Sequence, residues 1–127
     1  MLFSKRETFY QVSRVTGPTH NFLAIELATG SGEKHILIED TPGFCIGHAK
    51  LIPEAITSAV VEGLMLANHA FNATYRATHI QYHMSDSLPE AIYGVMAFKI
   101  VEHLVSGREF AMEGNEDERQ LWPSTTR

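Results

Sequence analysis

Thr78-His79-Ile80-Gln81-Tyr82-His83-Met84 alternates, with Ile80, Tyr82 and Met84 on one side and His79, Gln81 and His83 on the other. A period of two predicts a half-buried strand. Ser85-Asp86-Ser87 interrupts the pattern, and Ser87 and Glu90 then have the S-x-x-E spacing of a capping box. In that motif each side chain satisfies the other residue's backbone N–H. The spacing predicts a helix over residues 88–106, closed by Gly107, which tolerates the left-handed conformation a helix end requires. Leu88, Ile92, Tyr93, Val95, Met96 and Phe98 circle most of the girth of this helix, and Lys99, Glu102, His103 and Ser106 form a polar stripe only in its last two turns. A helix apolar nearly all round must be covered on more than one side. It is expected to be the core helix of the domain or half of an oligomer interface.

Upstream, Pro53 stands at the first position of a second helix, where its missing N–H costs nothing. Ile52, Ala55, Ile56, Ala59, Val60, Gly63, Leu64 and Ala67 recur there at helical spacing, and the helix ends near Asn68-His69. Ala59 and Gly63 are small, four apart and on the packing face, which suggests close contact between helix and sheet. Three strands precede this helix: one over 8–15, one over 21–27 bounded by Ala28-Thr29-Gly30-Ser31-Gly32, and a short one over 35–38. The order β-β-β-α-β-α predicts an α+β two-layer sandwich, a four-stranded, mostly antiparallel sheet with two long helices on one face. Residues 1–107 form the single domain in this reading. Residues 108–127 are a polar C-terminal extension in which Phe110, Met112 and Trp122 are the large apolar anchors.

Composition narrows the function classes. A chain of 127 residues is the size of one domain and can bury a core. A hydrophobic content of 44% argues against disorder, and no run is long enough to span a membrane. The net charge of −5 gives no electrostatic support for wholesale nucleic-acid binding. Cys45 is the only cysteine, and residues 1–7 contain no apolar signal core. Both features point to a reducing, cytoplasmic setting.

The candidate chemistry is sparse. Asp40-Thr41-Pro42-Gly43-Phe44-Cys45-Ile46-Gly47-His48 is an irregular loop with a thiol three residues before an imidazole. A thiolate nucleophile needs such a base nearby, although a lone cysteine more often packs. Asp40, Cys45 and His48, with His79 or His83 from the strand, are the candidate catalytic residues. His79 and His83 share a face but lie about 13 Å apart on a strand, too far for one metal ion to bridge. The glycines form neither G-x-G-x-x-G nor G-x-x-x-x-G-K-[ST]. No cofactor or metal site is expected.

Several stretches resemble domain IV of the translational GTPase elongation factor G. Ile52-Pro53 followed by Glu62-Gly63 is similar to that domain's first helix, Met96-Ala97-Phe98-Lys99-Ile100 to its last, and Arg14-Val15-Thr16-Gly17 to the start of its first tip loop. The resemblance covers about residues 8 to 106 and implies that domain's fold, including its left-handed βαβ crossover. The chain shows no GTPase domain and no nucleotide motif, so what is implied is the domain alone.

Three functions follow as expectations. The first is a small, non-catalytic association domain that meets a second copy or a protein partner through the helix over 88–106. The second is a small-molecule enzyme built on the Asp40–His48 loop and the strand histidines. The third is a ribosome- or RNA-associated factor that uses Arg14 and His20. The apolar girth also predicts that Tyr93 or Phe98 is covered by something beyond a four-stranded sheet, either the 110–122 tail or a second subunit.

Overall fold

The structure is a computed structural model that describes residues 1–16, 19–30, 36–41, 51–83 and 89–113. The strands are β1 (Leu2–Arg6), β2 (Phe9–Thr16), β3 (Thr19–Thr29), β4 (Leu37–Thr41), β5 (Tyr75–His83) and β6 (Ala111–Glu113); the helices are α1 (Pro53–Phe71) and α2 (Ile92–Val105). The expected four-stranded, mostly antiparallel sheet is corrected. The fold is α+β with one six-stranded mixed sheet, in the order β4-β5-β3-β2-β1-β6. β1 adds a strand through the two-residue Glu7-Thr8 turn, β6 pairs with β1 in parallel, and β4 pairs with β5 in parallel. Two neighbouring parallel strands need a long crossover, and α1 supplies it between β4 and β5.

Alternation along the strands sets the two faces of the sheet. Val12, Leu23, Ile25, Ile80 and Tyr82 form one buried cluster with Ile56, Val60 and Leu64 of α1 and Tyr93, Met96 and Ile100 of α2. Both helices therefore cover the same face. Period two fails at one place: Glu26 lies opposite His79, yet Leu27 lies opposite Ala77, so Thr78 is an extra residue in β5. The Thr78 hydroxyl sits 3.2 Å from both the carbonyl and the carboxylate of Glu26. This bulge resets the alternation, which lets Ala77 and Ile80, three residues apart, both enter the core.

The helix ends differ from expectation in two respects, the first being that α1 runs on to Phe71, past Asn68-His69. α2 begins at Ile92, after a turn in which the N–H groups of Ile92 and Tyr93 bond to the carbonyls of Pro89 and Glu90. Glu90 does not serve its own helix: its carboxylate accepts the Ile52 N–H at 3.2 Å and so ties the start of α2 to the start of α1. Ser87, its expected capping partner, lies outside the described residues. Gly107 has φ +75, as a helix-terminating residue in the left-handed region does. At the other junction Asn72 closes α1 with φ 54, and Asn68 brackets the next strand. The Asn68 amide donates to Tyr75 O at 2.8 Å and accepts from Tyr75 N at 3.0 Å. Asn68→Ala removes both bonds to the first residue of β5. The expected loss is about 1–3 kcal/mol, the cost of stranding partly buried backbone groups, measured by urea unfolding.

The tight contact of Ala59 and Gly63 is with the other helix, not with the sheet. A Cβ on Gly63 would lie 2.1 Å from the carbonyl oxygen of Gly94, and a Cβ on Gly94 would lie 2.7 Å from that of Ala59. The two helices cross backbone against backbone at this point. Tyr93 is fully buried among the core residues, with its hydroxyl 3.5 Å from the Asn21 amide of β3, so the sheet side of α2 accounts for it. Phe98 is half-buried with its ring 5.4 Å from that of Phe71 in α1. Residues 108–113 carry Phe110 against Phe3 and Tyr10 and supply β6; residues 114–127, with Trp122, lie outside the described residues.

Candidate functional site

The strand histidines sit where alternation puts them, on the sheet face opposite the helices. That face is organised in rows across the strands. Ser4, Gln11, Ala24, Gln81 and Glu39 stand in register from β1 to β4. Arg6, Phe9, Glu26, His79 and Leu37 form the neighbouring row. Arg6 runs across the first row: its Nε donates to Gln11 Oε1 at 3.0 Å and its terminal nitrogen to Gln81 Oε1 at 2.7 Å. Ala24, the small residue between those two glutamines, is fully buried. Gln11 donates in turn to Ser4, and Gln81 donates to Glu39. The polar groups of this face thus largely satisfy one another.

His79 Nε2 donates to Glu39 Oε1 at 2.8 Å, and its ring meets Phe9 edge-on at 4.8 Å. His83 stacks on Phe22 at 4.5 Å. Each histidine is engaged separately. Asp40 stands opposite Tyr82, whose side chain enters the core, so Asp40 belongs to the other face of the sheet from both histidines. Burial, then the charges of Asp40 and Glu54, raise the Tyr82 hydroxyl above the ordinary phenol range. Cys45 and His48 lie outside the described residues. Among the described residues, then, Asp40, His79 and His83 do not converge, and no group of three or more His, Cys, Asp or Glu could hold a metal ion.

Two carboxylates on the open face are held below their usual range. Glu26 is lowered by the Thr8 hydroxyl foremost; burial opposes this, and Thr78 and then His79 add to the lowering. Glu39 is lowered mainly by hydrogen bonds from Gln81 and His79. A folded-state value below the unfolded one adds stability above the unfolded value, near 4.5. That stability is lost as pH falls through the lower, folded value. The melting temperature is therefore expected to drop below about pH 4.5, and Glu26→Gln should flatten this acid limb. Glu39→Gln should flatten it less, because a well-exposed group is screened by solvent. Thermal melts from pH 3 to 7 check this, and a limb unchanged in both variants would refute it.

The helix layer carries a different kind of surface. Where α1 and α2 cross, a groove of about 340 Å³ runs over Ala59, Gly63, Leu66, Gly94, Val95 and Phe98. Among the described residues Glu62 is the only charged side chain lining it. Gly63 and Gly94 line it at the point where the two helix backbones touch. Leu66 is 59% exposed and Val95 46% exposed on its two banks. Single exposed apolar residues are ordinary, but a contiguous apolar recess with apolar banks marks an interaction surface. The sequence showed the small residues at 59 and 63 without showing that they meet Gly94. The available signal was a lone glycine in an otherwise bulky helix.

A second recess lies beside His103, lined by Met1, Phe3, Lys99 and Arg108. His103 stacks on Phe3 at 4.1 Å, and its Nε2 donates to Glu109 O at 2.7 Å. This histidine ties α2 to the segment leading into β6. Among the described residues no helix is long and apolar enough to cross a membrane.

Comparison with protein-family models, with curated proteins and with solved structures finds no match for this chain.

Proposed function

We propose that this chain is a small, non-catalytic association domain that works through the outer face of its helix layer. The observation that carries the reading is the apolar groove over the Gly63–Gly94 crossing, banked by exposed Leu66 and Val95. Burying those banks releases water from apolar surface at roughly 25 cal/mol per Å². The open sheet face offers less, because its polar groups already bond to one another. A catalytic reading built on the 40–48 segment and the strand histidines has less behind it, because Asp40 stands on the other face of the sheet from His79 and His83. The resemblance to domain IV of elongation factor G, carried by Met96-Ala97-Phe98-Lys99-Ile100, agrees with a domain that acts by binding. A cytoplasmic setting belongs to the same reading and rests on the single cysteine.

The test is a photo-crosslinking benzoylphenylalanine at position 95, with position 13 on the open sheet face as the control. The expected result is a discrete adduct from position 95 in cells, lost on Leu66→Glu, and no adduct from position 13. No adduct from position 95, or one that survives Leu66→Glu unchanged, would overturn the reading.

A further inference from the structure

We infer that the occupant of the groove is a second copy of this chain, with Leu66 of each copy entering the Gly63–Gly94 groove of the other. The inference rests on the association reading and goes beyond it by naming the partner.

Shape is the first argument. A two-fold interface uses one patch twice, so that patch must carry both a projection and a recess. A surface that receives a different protein needs only the recess. Here both are present within one turn of helix: Leu66 stands one turn after Gly63 on α1, and Val95 follows Gly94 on α2. Leu66 is exposed to 59%, Gly63 is buried, and the floor between them is bare backbone. If Leu66 reaches the partner's Gly94, the two-fold axis returns the partner's Leu66 to this chain's Gly94, so both recesses fill at once.

Charge is the second argument. Two copies of a chain with net charge −5 repel at long range, so a contact where the charge is sparse costs them least. The groove satisfies this, with Glu62 its only charged lining residue among those described. The open sheet face does not, since it carries Arg6, Glu26 and Glu39.

Size sets the strength. Helices of 19 and 14 residues are about 28 Å and about 21 Å long and together present a face roughly 20 Å wide. Each copy can therefore bury several hundred Å², the low end for a stable dimer. The expected dimer is in equilibrium with its monomer in the micromolar range.

The experiment is sedimentation velocity on the full chain from about 1 to 200 µM, which brackets such an affinity. The expected mass climbs from 14.2 kDa toward twice that value. Leu66→Glu should weaken the dimer at least about tenfold, as removal of a central anchor does. Its thermal melt, recorded at a concentration where both chains are monomeric, should match the parent, because the side chain is already well exposed in the monomer. A parent chain that stays monomeric to the top of the range, or a Leu66→Glu chain that dimerises as tightly as the parent, overturns the inference. The adduct at position 95 separates the two levels. A monomeric chain that still yields an adduct with a different protein refutes the second copy and leaves the association reading standing. A monomeric chain with no adduct refutes both.

Discussion

Gly63→Ala lowers the melting temperature by about 10 °C or more, the shift expected from a loss of roughly 3 kcal/mol in a chain of this size. The sign of this result is informative. Helix propensity alone favours alanine over glycine by about 0.8–1.0 kcal/mol in a helix interior, so a mutation judged on its own helix would stabilise. The crossing reverses that expectation. The added carbon would sit 2.1 Å from the Gly94 carbonyl oxygen and 2.8 Å from its carbon. Both are backbone atoms of a packed helix, with no flexible end that could swing aside. Accommodating the methyl means moving α2 off α1, and that disturbs Ile56, Val60, Met96 and Ile100 in the layer beneath. Overpacking in a well-filled core typically costs 1–3 kcal/mol, and a backbone obstacle lies at the upper end or past it. Gly94→Ala meets Ala59 O at 2.7 Å and should cost less than Gly63→Ala. A calorimetric scan in which Gly63→Ala melts at or above the parent temperature would show that the helices do not cross here.

Tyr93→Ala is expected to cost about 3–5 kcal/mol, the range for truncating a large buried aromatic side chain. Tyr93 is among the largest side chains with no exposed surface, and it lies where α2 meets the middle of the sheet. Removing its ring leaves a cavity bordered by strands that cannot close over it. The hydroxyl contributes far less. The hydroxyl stands 3.5 Å from the Asn21 amide, and Tyr93→Phe keeps the ring packed, so it should lose about 0.5–1.5 kcal/mol, the net worth of an ordinary hydrogen bond. Urea unfolding of the two variants separates ring from hydroxyl. Equal losses in both would mean that the polar contact, and not the packing, is what the position provides.

The sequence made some of this legible and hid the rest for identifiable reasons. The alternation from His79 to His83 placed two histidines away from the helices and Ile80 and Tyr82 toward them, because a strand with one buried face writes its orientation into its composition. Pro53 and Gly107 marked helix ends through backbone chemistry that is local. β1 was hidden because its turn is Glu7-Thr8, without the Asn or Gly that signals a two-residue hairpin, even though Glu7 adopts φ 58 there. β6 is three residues long and exists only by pairing with β1, a partner from the other end of the described chain. The parallel pairing of β4 is equally non-local, since no pattern within Leu37–Thr41 states which strand will lie beside it. The candidate surface was half visible. Ala59 and Gly63 announced a close approach, but which element approached was decided by Gly94, thirty-odd residues away. Arg6 illustrates the same limit. In sequence it is one cation in a polar stretch, and in space it joins glutamines from two different strands.

The sheet order also fixes a schedule. β4 has β5 as its only strand neighbour among the described residues, yet α1 must be made before β5 exists. When the chain emerges from synthesis, β1, β2 and β3 can pair as sequence neighbours, while β4 waits for its strand partner among the described residues. β5 lies between β3 and β4, so both pairings wait until it is made. Until it does, Leu23 and Ile25 sit beside an open strand edge. Closures of this span are slow, and mixed helix-and-sheet domains fold between the microsecond-to-millisecond range of helical bundles and the millisecond-to-second range of all-β topologies. The vulnerable interval for this protein therefore falls while the helix that separates the two parallel strands is still being made.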